Sequence, residues 1–398
     1  MVGEAVNLLK EMIAIPSVTF EEERVANFLY NWLNEKAHKF KMDSTDCNGT
    51  FDLLRLKNNI LAIPHNYTAE KPTLMLNAHI DTVKAAESYT IDPYAPFERD
   101  GAIYGLGSND DGGCVVSLIE TFLNYVQVTQ SSNNGLANGP IGNINIVLLL
   151  SAEEERSGAG GISYAMDAIC NNNLQEKEIP LPPNFKIDFA IVGEPTSLKA
   201  AVAERGLLVI DAVAHGVSGH AARNEGVNAI YKALADIEIL KNYHFEKVSP
   251  IMGNVKLTVT QINAGSVHNV VPDRCSYVVD IRPTEEYSNT EIMELLQKEV
   301  ESELKARNLK NRSSATPQDH LLMKCVESAG IEKFVSPTTS DWMKLAIPAI
   351  KIGPGDSARS HKADEYIKID EIAAGIEVYK NLIYNIDEIA GCCRDKNN

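Results

Sequence analysis

Three short apolar runs end in residues that are costly to bury, and this pattern constrains the fold more than any other. The runs are TLMLNAH at 73–79, INIVLLLSA at 144–152 and DFAIVGE at 188–194. They have the length of strands and are apolar almost throughout, which is typical of a parallel sheet buried on both faces. Helical stretches such as 112–126 lie between them. The sequence therefore predicts an α/β fold with a mostly parallel central sheet.

The pattern changes after Arg205. Three runs now alternate apolar and polar residues, as half-exposed antiparallel strands do, and two helical stretches accompany them. The strands are expected at 207–216, 254–265 and 275–283, and the helices at 226–242 and 289–308. We expect an α+β domain at 206–313, inserted into a larger discontinuous domain of 1–205 and 314–398.

Helix termini are predicted at both ends of the chain. The first helix is expected to end before Pro16. A second is expected to begin just after Thr19, because Thr19 and Glu22 have the spacing of a capping box. The last helix is expected from about Asp370.

Charge and composition exclude several classes of protein. Lys and Arg number 37 against 54 Asp and Glu, a net charge of -17, so a nucleic-acid partner is not expected. No apolar run approaches the roughly 18 residues of a membrane helix, and the N-terminus lacks a signal-peptide core. We therefore expect a cytoplasmic protein without membrane contact. The seven cysteines include no C-x-x-C pair, so a thiolate zinc site is not indicated.

The polar residues at the strand ends are expected to meet. In an open α/β sheet the functional crevice lies at the carboxyl ends of the strands. The first run ends in His79 and Asp81, the second in three consecutive glutamates, and the third in Glu194. Taken singly, each has a structural explanation, such as a hydrogen-bonded pair or a solvated helix start. Together, so many carboxylates at one edge would repel one another unless a cation neutralised them.

Two further residues extend this cluster. Asp110 lies in the glycine-rich segment 104–113, and His361 follows the predicted strand PAIKIG. A dinucleotide-binding loop is the alternative for 104–113, but Asp110 stands where the third glycine of G-x-G-x-x-G belongs. Two histidines and several carboxylates suit zinc, cobalt or manganese. Two metal ions sharing one carboxylate would best account for the number of acids.

The motifs as a set resemble a known family. They are HIDTV, GLGSND, SAEEE, VGEPT, SGHAARNEGVNAI, HNVVPD and SHKADE, in that order along nearly the whole chain. In these the chain resembles the di-zinc amidohydrolases, which include acetylornithine deacetylase, succinyl-diaminopimelate desuccinylase, aminoacylase and glutamate carboxypeptidases. The likeness is strongest to the acetylornithine deacetylase branch. By this resemblance, the inserted domain would be a lid and dimerisation domain.

The resemblance also implies a role for each residue of the site. His79 and Glu194 would bind one zinc ion, Glu155 and His361 the other, and Asp110 would bridge both. Asp81 would orient His79, and Glu154 would be the general base. In the inserted domain, His220 would help to hold the oxyanion across a dimer interface, and Asn269 and Arg282 would contact substrate. Arg359 is a further candidate substrate anchor, on its position beside His361 alone.

The resemblance implies an enzyme that hydrolyses an N-acyl amino acid. It would act as a homodimer and bind two zinc ions, or two cobalt or manganese ions in their place. An N-acetyl or N-succinyl derivative of ornithine or citrulline, in arginine biosynthesis, is the expected substrate. A dipeptidase or carboxypeptidase with the same site is the alternative, and a silent metal-binding homologue is a second. Gly112 stands where many family members have lysine, which indicates a subgroup of the family.

Overall fold

The structure is a computed structural model that describes residues 1–39, 50–133, 142–171, 181–223 and 225–395. The chain divides into two compact units. The first comprises Met1–Val202, Thr316–Phe334 and Ser340–Asn398, and the second comprises Ala203–Ala315 and Val335–Thr339. The role of the second unit as a lid and dimerisation domain stays a prediction.

The described residues form eight α-helices and eighteen strands, several of them very short. The helices are α1 Val2–Ile13, α2 Glu23–Lys39, α3 Gly113–Asn133, α4 Ile162–Cys170, α5 Ala229–Asn242, α6 Asn289–Glu299, α7 Leu321–Ser328 and α8 Ile369–Asp395. The strands are β1 Phe51–Leu56, β2 Asn59–Pro64, β3 Thr73–His79, β4 Phe97–Arg99, β5 Ala102–Tyr104, β6 Asn145–Ser151, β7 Phe189–Val192, β8 Ala200–Glu204, β9 Leu208–His215, β10 Gly219–His220, β11 Lys256–Ala264, β12 Val270–Val271, β13 Arg274–Arg282, β14 Glu303–Ala306, β15 Ser314–Ala315, β16 Lys333–Ser336, β17 Ala349–Lys351 and β18 Tyr366–Lys368.

The large sheet has a parallel centre and antiparallel edges. Its order begins β1-β2-β6-β3-β7-β17-β8. The four strands β6, β3, β7 and β17 are parallel neighbours. Strands β1, β2 and β8 join at the two sides in antiparallel pairs. The predicted α/β fold with a mostly parallel central sheet is thus confirmed.

Both faces of this sheet are buried, which explains the apolar runs. In β6, Ile146, Leu148 and Leu150 pack into one core, and Val147 and Leu149 pack into another. Every residue of β3 and of β6 is buried. A strand covered on both faces gains from apolar residues at every position, so its sequence does not alternate.

Within the described ranges, no helix is both long and apolar enough to cross a membrane.

The second unit follows the alternating pattern instead. Its main sheet has the antiparallel order β11-β13-β9-β14. Along β9, buried residues alternate with more exposed ones until His215. The buried side, which includes Leu208, Ile210 and Ala212, packs with α5 and α6 into a separate core. A sheet with one covered face needs apolar residues only at every second position.

Several helix boundaries differ from their predictions, and for two of them the structure shows the reason. Helix α2 begins at Glu23, and the hydroxyl of Thr19 donates to Asp81 at 2.8 Å, so Thr19 caps no helix. Helix α6 ends at Glu299, short of the predicted 308. The buried carboxylate of Asp236 accepts the backbone N–H groups of Glu301 and Ser302 at 3.1 and 2.8 Å. These bonds replace the helical ones, and the chain continues as strand β14.

Candidate metal centre

The register of the parallel strands brings the predicted residues to one edge of the sheet. His79, the last residue of β3, is paired with Ser151, the last residue of β6. On the other side, Asn77 is paired with Val192 of β7. Glu194, two residues after Val192, therefore falls at the level of His79. The segment 152–155 leaves β6 at the same edge.

His79, Asp110 and Glu155 form the centre of the site. Each offers one ligand atom, and these atoms all lie within 4.8 Å of one another. The Nε2 atom of His79 lies 3.2 Å from Oδ1 of Asp110. The Nδ1 atom of His79 lies 2.9 Å from the carbonyl oxygen of Asp81, which can only accept a hydrogen bond. Nδ1 therefore donates to this carbonyl, and Nε2 is the ring nitrogen that faces the cluster and would bind a metal ion.

His361 completes the cluster from a different loop. Its Nε2 atom lies 3.0 Å from Oε2 of Glu155 and 3.6 Å from Oδ2 of Asp110. The hydrogen bond to Glu155 raises the pKa of His361 to about 9, against the effect of burial and with help from the charge of Asp110. Asp110 thus stands between two imidazoles, as a shared ligand would.

Asp81 organises the loop that carries the glutamates. It is fully buried. Its Oδ1 accepts the backbone N–H of Glu154 at 3.0 Å. Its Oδ2 accepts the backbone N–H of Glu155 at 3.2 Å and the hydroxyl of Thr19 at 2.8 Å. Burial alone would raise the pKa of Asp81, but the bonds with His79 and the other donors hold it below its usual value. One carboxylate therefore fixes the strand end and the glutamate loop together.

Glu154 occupies an environment of strong negative potential. Burial and the charges of Glu194, Asp341 and Glu155 raise its pKa well above the usual range, although His79 acts in the opposite sense. Its neighbour Glu153 is engaged elsewhere, since Oε2 accepts the backbone N–H of Gly160 at 2.7 Å. Of the two glutamates before Glu155, Glu154 is thus the one whose carboxylate interacts electrostatically with the cluster.

The donor set fits divalent metal ions. The cluster offers imidazole nitrogen and carboxylate oxygen, the ligands that zinc, cobalt and manganese accept. Glu194 acts on the same region, because its charge raises the pKa of both Glu154 and Asp111. Carboxylates this close are stable together only when cations or protons offset their charge. His79, Asp110, Glu155, Glu194 and His361 are therefore the residues that would hold the metal, and their roles as ligands stay predictions.

The three predicted site residues of the second unit lie in or beside its strands. His220 is exposed in β10, where its Nδ1 accepts the backbone N–H of Ala222 at 3.2 Å. Asn269 is exposed just before β12. Arg282 makes a bidentate ion pair with Asp280, at 2.8 and 3.0 Å. Their functional roles stay predictions.

Arg359 belongs to the first unit and is held by structural partners. Its Nη2 donates to Glu371 at 2.7 Å and its Nη1 to the carbonyl of Tyr366 at 3.3 Å. Its guanidinium also lies 4.8 Å from the ring centre of Tyr366. These contacts fasten β18 to the start of α8. A substrate carboxylate would have to compete with Glu371 for Arg359.

Two buried carboxylates of the site were not predicted. Glu365 accepts three backbone N–H groups from the loop of Asp110, and Asp341 accepts the hydroxyl of Ser151. Burial raises the pKa of Glu365 to about 7 and that of Asp341 to about 6. The sequence signal for Glu365 was its place in SHKADE, four residues after His361. Asp341 lies in a polar segment that offers no comparable signal.

Known proteins resemble this chain over most of its length. The sequence profile of peptidase family M20/M25/M40 matches residues 75–385. Acetylornithine deacetylase of Proteus mirabilis (strain HI4320) is 26% identical over 409 residues, covering 96% of both chains. Succinyl-diaminopimelate desuccinylase of Wolbachia pipientis wMel is 24% identical over 405 residues, covering 96% of this chain and 93% of the relative.

Solved structures share the fold. The M20 family metallo-carboxypeptidase Sso-CP2 of Sulfolobus solfataricus superposes with a TM-score of 0.68 at 18% identity, covering 96% of this chain and 99% of that one. The YXEP protein of Bacillus subtilis, described as a dinuclear metal-binding peptidase, gives 0.67 at 14% identity, covering 97% and 98%. The profile match spans well over half of the 398 residues. The chain therefore belongs to peptidase family M20/M25/M40 and is a metal-dependent hydrolase.

Proposed function

We propose that the protein is a di-zinc amidohydrolase that removes an acetyl or succinyl group from an N-acyl amino acid. N-acylornithine or N-acylcitrulline is the proposed substrate, in arginine biosynthesis in the cytoplasm. The observation that carries the proposal is the cluster of His79, Asp110 and Glu155, whose ligand atoms lie within 4.8 Å, with Glu154 beside it. The two curated relatives described above are both deacylases and match nearly the whole chain, which supports this substrate class.

The chain's own residues supply proton transfer and charge stabilisation. Bound divalent cations would lower the pKa of a coordinated water and polarise the scissile carbonyl. Glu154 takes the proton of the attacking water and returns it to the departing amine. His220, acting across the proposed dimer interface, stabilises the developing oxyanion. Asn269, Arg282 and Arg359 are the proposed contacts for the rest of the substrate.

A substrate panel tests the proposal. Purified protein with two equivalents of zinc is expected to hydrolyse at least one of N-acetyl- and N-succinyl-ornithine and -citrulline, and a chelator is expected to abolish turnover. Liberated amine is measured, and zinc, cobalt and manganese are compared on the chelated protein. Turnover that survives complete removal of metal would contradict the proposal.

A peptidase is the second candidate function. The observation that favours it is the set of structural neighbours, since Sso-CP2 is a metallo-carboxypeptidase and other neighbours are a tripeptidase and a dipeptidase. The metal chemistry is the same in both cases. A panel of dipeptides and N-blocked peptides is therefore assayed beside the N-acyl amino acids. Cleavage of peptides alone would replace the deacylase proposal with this one.

An exposed apolar surface of the second unit supports the proposed homodimer. Strand β11 lies at one end of its sheet order, and such an edge offers backbone groups for pairing. Ile262 on β11 is 53% exposed, and Tyr231 and Leu234 on α5 are 72% and 51% exposed. Tyr231 and Leu234 are three residues apart and so share one helix face. We propose that this surface pairs two copies of the chain.

A charge placed on this surface is expected to separate the dimer. The substitution Leu234→Asp would bury an unpaired carboxylate in the interface, which is strongly unfavourable. Sedimentation velocity is expected to show a dimer for the wild type and a monomer for the variant. Leu309→Asp is the matched control, because Leu309 is 47% exposed in the same unit but lies outside β11 and α5. A wild-type monomer with full activity would refute both the dimer and any action of His220 across it.

A further inference from the structure

The carboxylate of Glu365 is buried against the loop that carries Asp110. Only 2% of Glu365 is exposed. Its Oε1 accepts the backbone N–H groups of Asn109 at 2.8 Å and Asp110 at 2.9 Å, and its Oε2 accepts that of Gly107 at 3.1 Å. Its carbonyl oxygen accepts the N–H of Gly105 at 3.0 Å. A single residue thus satisfies four backbone donors of one turn.

The same contacts join the loop of Asp110 to the loop of His361. Glu365 follows His361 by four residues. Asn109 adds a second connection, because its Nδ2 donates to the carbonyl of Asp356 at 3.1 Å and its Oδ1 accepts the N–H of Asp356 at 3.0 Å. Two loops that are remote in sequence are therefore fixed to each other on both sides of His361.

We propose that Glu365 is a positioning residue that holds Asp110 and His361 at the separation a pair of metal ions requires. The inference rests on the proposed di-metal function. Both carboxylate oxygens of Glu365 already accept backbone donors, so Glu365 acts through the backbone of Asp110. Outer partners of this kind orient the ligands, and their loss weakens metal affinity.

Glu365→Gln is the direct test. Glutamine replaces one carboxylate oxygen with an amide nitrogen, which is a hydrogen-bond donor. At that position two donors would face each other, and the hydrogen bond to the backbone N–H would be lost. We expect the weaker of two zinc ions to bind about 10–100-fold less tightly, measured by titration against a chelating indicator. We also expect kcat to fall at limiting zinc and to recover at excess zinc, with KM unchanged. Glu365→Asp keeps the charge with a shorter reach and is expected to weaken binding less.

Asp387→Asn is the matched control. Asp387 is fully buried and accepts the backbone N–H groups of Gly142, Asn143 and Ile144 at 3.0, 2.8 and 3.1 Å. These contacts lie just before β6, at the opposite end of that strand from Ser151. Asp387→Asn is therefore expected to lower the unfolding temperature without changing zinc affinity.

The outcomes separate the inference from the function on which it rests. Wild-type zinc affinity in both Glu365 variants, with two ions bound, would overturn the inference alone. Weakened zinc binding in Glu365→Gln and Asp387→Asn alike would also overturn it, because the effect would then follow from general destabilisation. A wild-type protein that binds fewer than two zinc ions would overturn the di-metal function itself. Selective weakening in the Glu365 variants would support the inference.

Discussion

Replacement of Glu154 by glutamine is expected to lower kcat by about 10²–10⁴-fold, the usual contribution of a general base. Glutamine has the shape of glutamate but cannot take a proton at neutral pH. The backbone at this position should not move, because the N–H of Glu154 is held by the buried carboxylate of Asp81 at 3.0 Å. Steady-state hydrolysis is measured with the metal content of the same sample determined in parallel.

The neighbouring residue provides the control for this prediction. The carboxylate of Glu153 accepts the N–H of Gly160, and the side-chain oxygen of glutamine can accept the same bond. Glu153→Gln is therefore expected to keep kcat within a few-fold of wild type, since it changes charge only outside the cluster. If Glu154→Gln retained kcat within about tenfold of the wild type with both metals bound, Glu154 would not be the general base.

The residues at the strand ends could be predicted because their environment is dictated locally. A run such as TLMLNAH is apolar on both faces, so it belongs in a buried parallel sheet, and the polar residue that ends it must lie at the edge. The register then places His79 beside Ser151 and at the level of Glu194. For His361, which follows a short strand, the same reasoning predicts this edge, and its Nε2 lies 3.0 Å from Oε2 of Glu155.

The supporting residues could not be predicted, because their partners are distant in the sequence. Glu365 binds backbone groups about 255 residues away, and Asp341 binds Ser151, 190 residues away. Backbone N–H groups carry no side-chain identity, so the place of Glu365 in SHKADE does not reveal which backbone groups it accepts. The prediction for Thr19 is wrong for a related reason. Its spacing to Glu22 indicates a local helix cap, but its hydroxyl donates a hydrogen bond to the distant Asp81.

The end of α6 shows how tertiary contacts override helix propensity. The segment 289–308 is rich in Glu, Leu and Lys, which favour helix. Yet Asp236 of α5 captures the N–H groups of Glu301 and Ser302, and 303–306 pairs with β9. The prediction for Arg359 rests on its proximity to His361, whereas the structure gives it Glu371 as a partner. Neither partner can be inferred from its local sequence.

Replacement of Asp110 by asparagine is expected to reduce bound zinc to one ion or fewer and to lower turnover on the order of 10³-fold. The carboxylate oxygens of Asp110 face Nε2 of His79 at 3.2 Å and Nε2 of His361 at 3.6 Å, so this side chain is shared between two imidazole ligands. Asparagine removes the charge and one acceptor oxygen. Metal ions contribute several kcal/mol of transition-state stabilisation, and each 1.36 kcal/mol corresponds to a factor of ten in rate.

Asp111→Asn is the matched control for this substitution. The carboxylate of Asp111 is buried beside Asp110, but its Oδ2 accepts the backbone N–H of His79 at 3.3 Å, a bond that the amide oxygen of asparagine can also accept. Asp111→Asn is therefore expected to keep two zinc ions after dialysis, as measured by elemental analysis. Equal loss of zinc from the two variants would show that replacing either carboxylate weakens metal binding. The bridging role proposed for Asp110 would then be refuted. Loss in Asp110→Asn alone, together with the fall in turnover, is what a carboxylate shared by two metal ions requires.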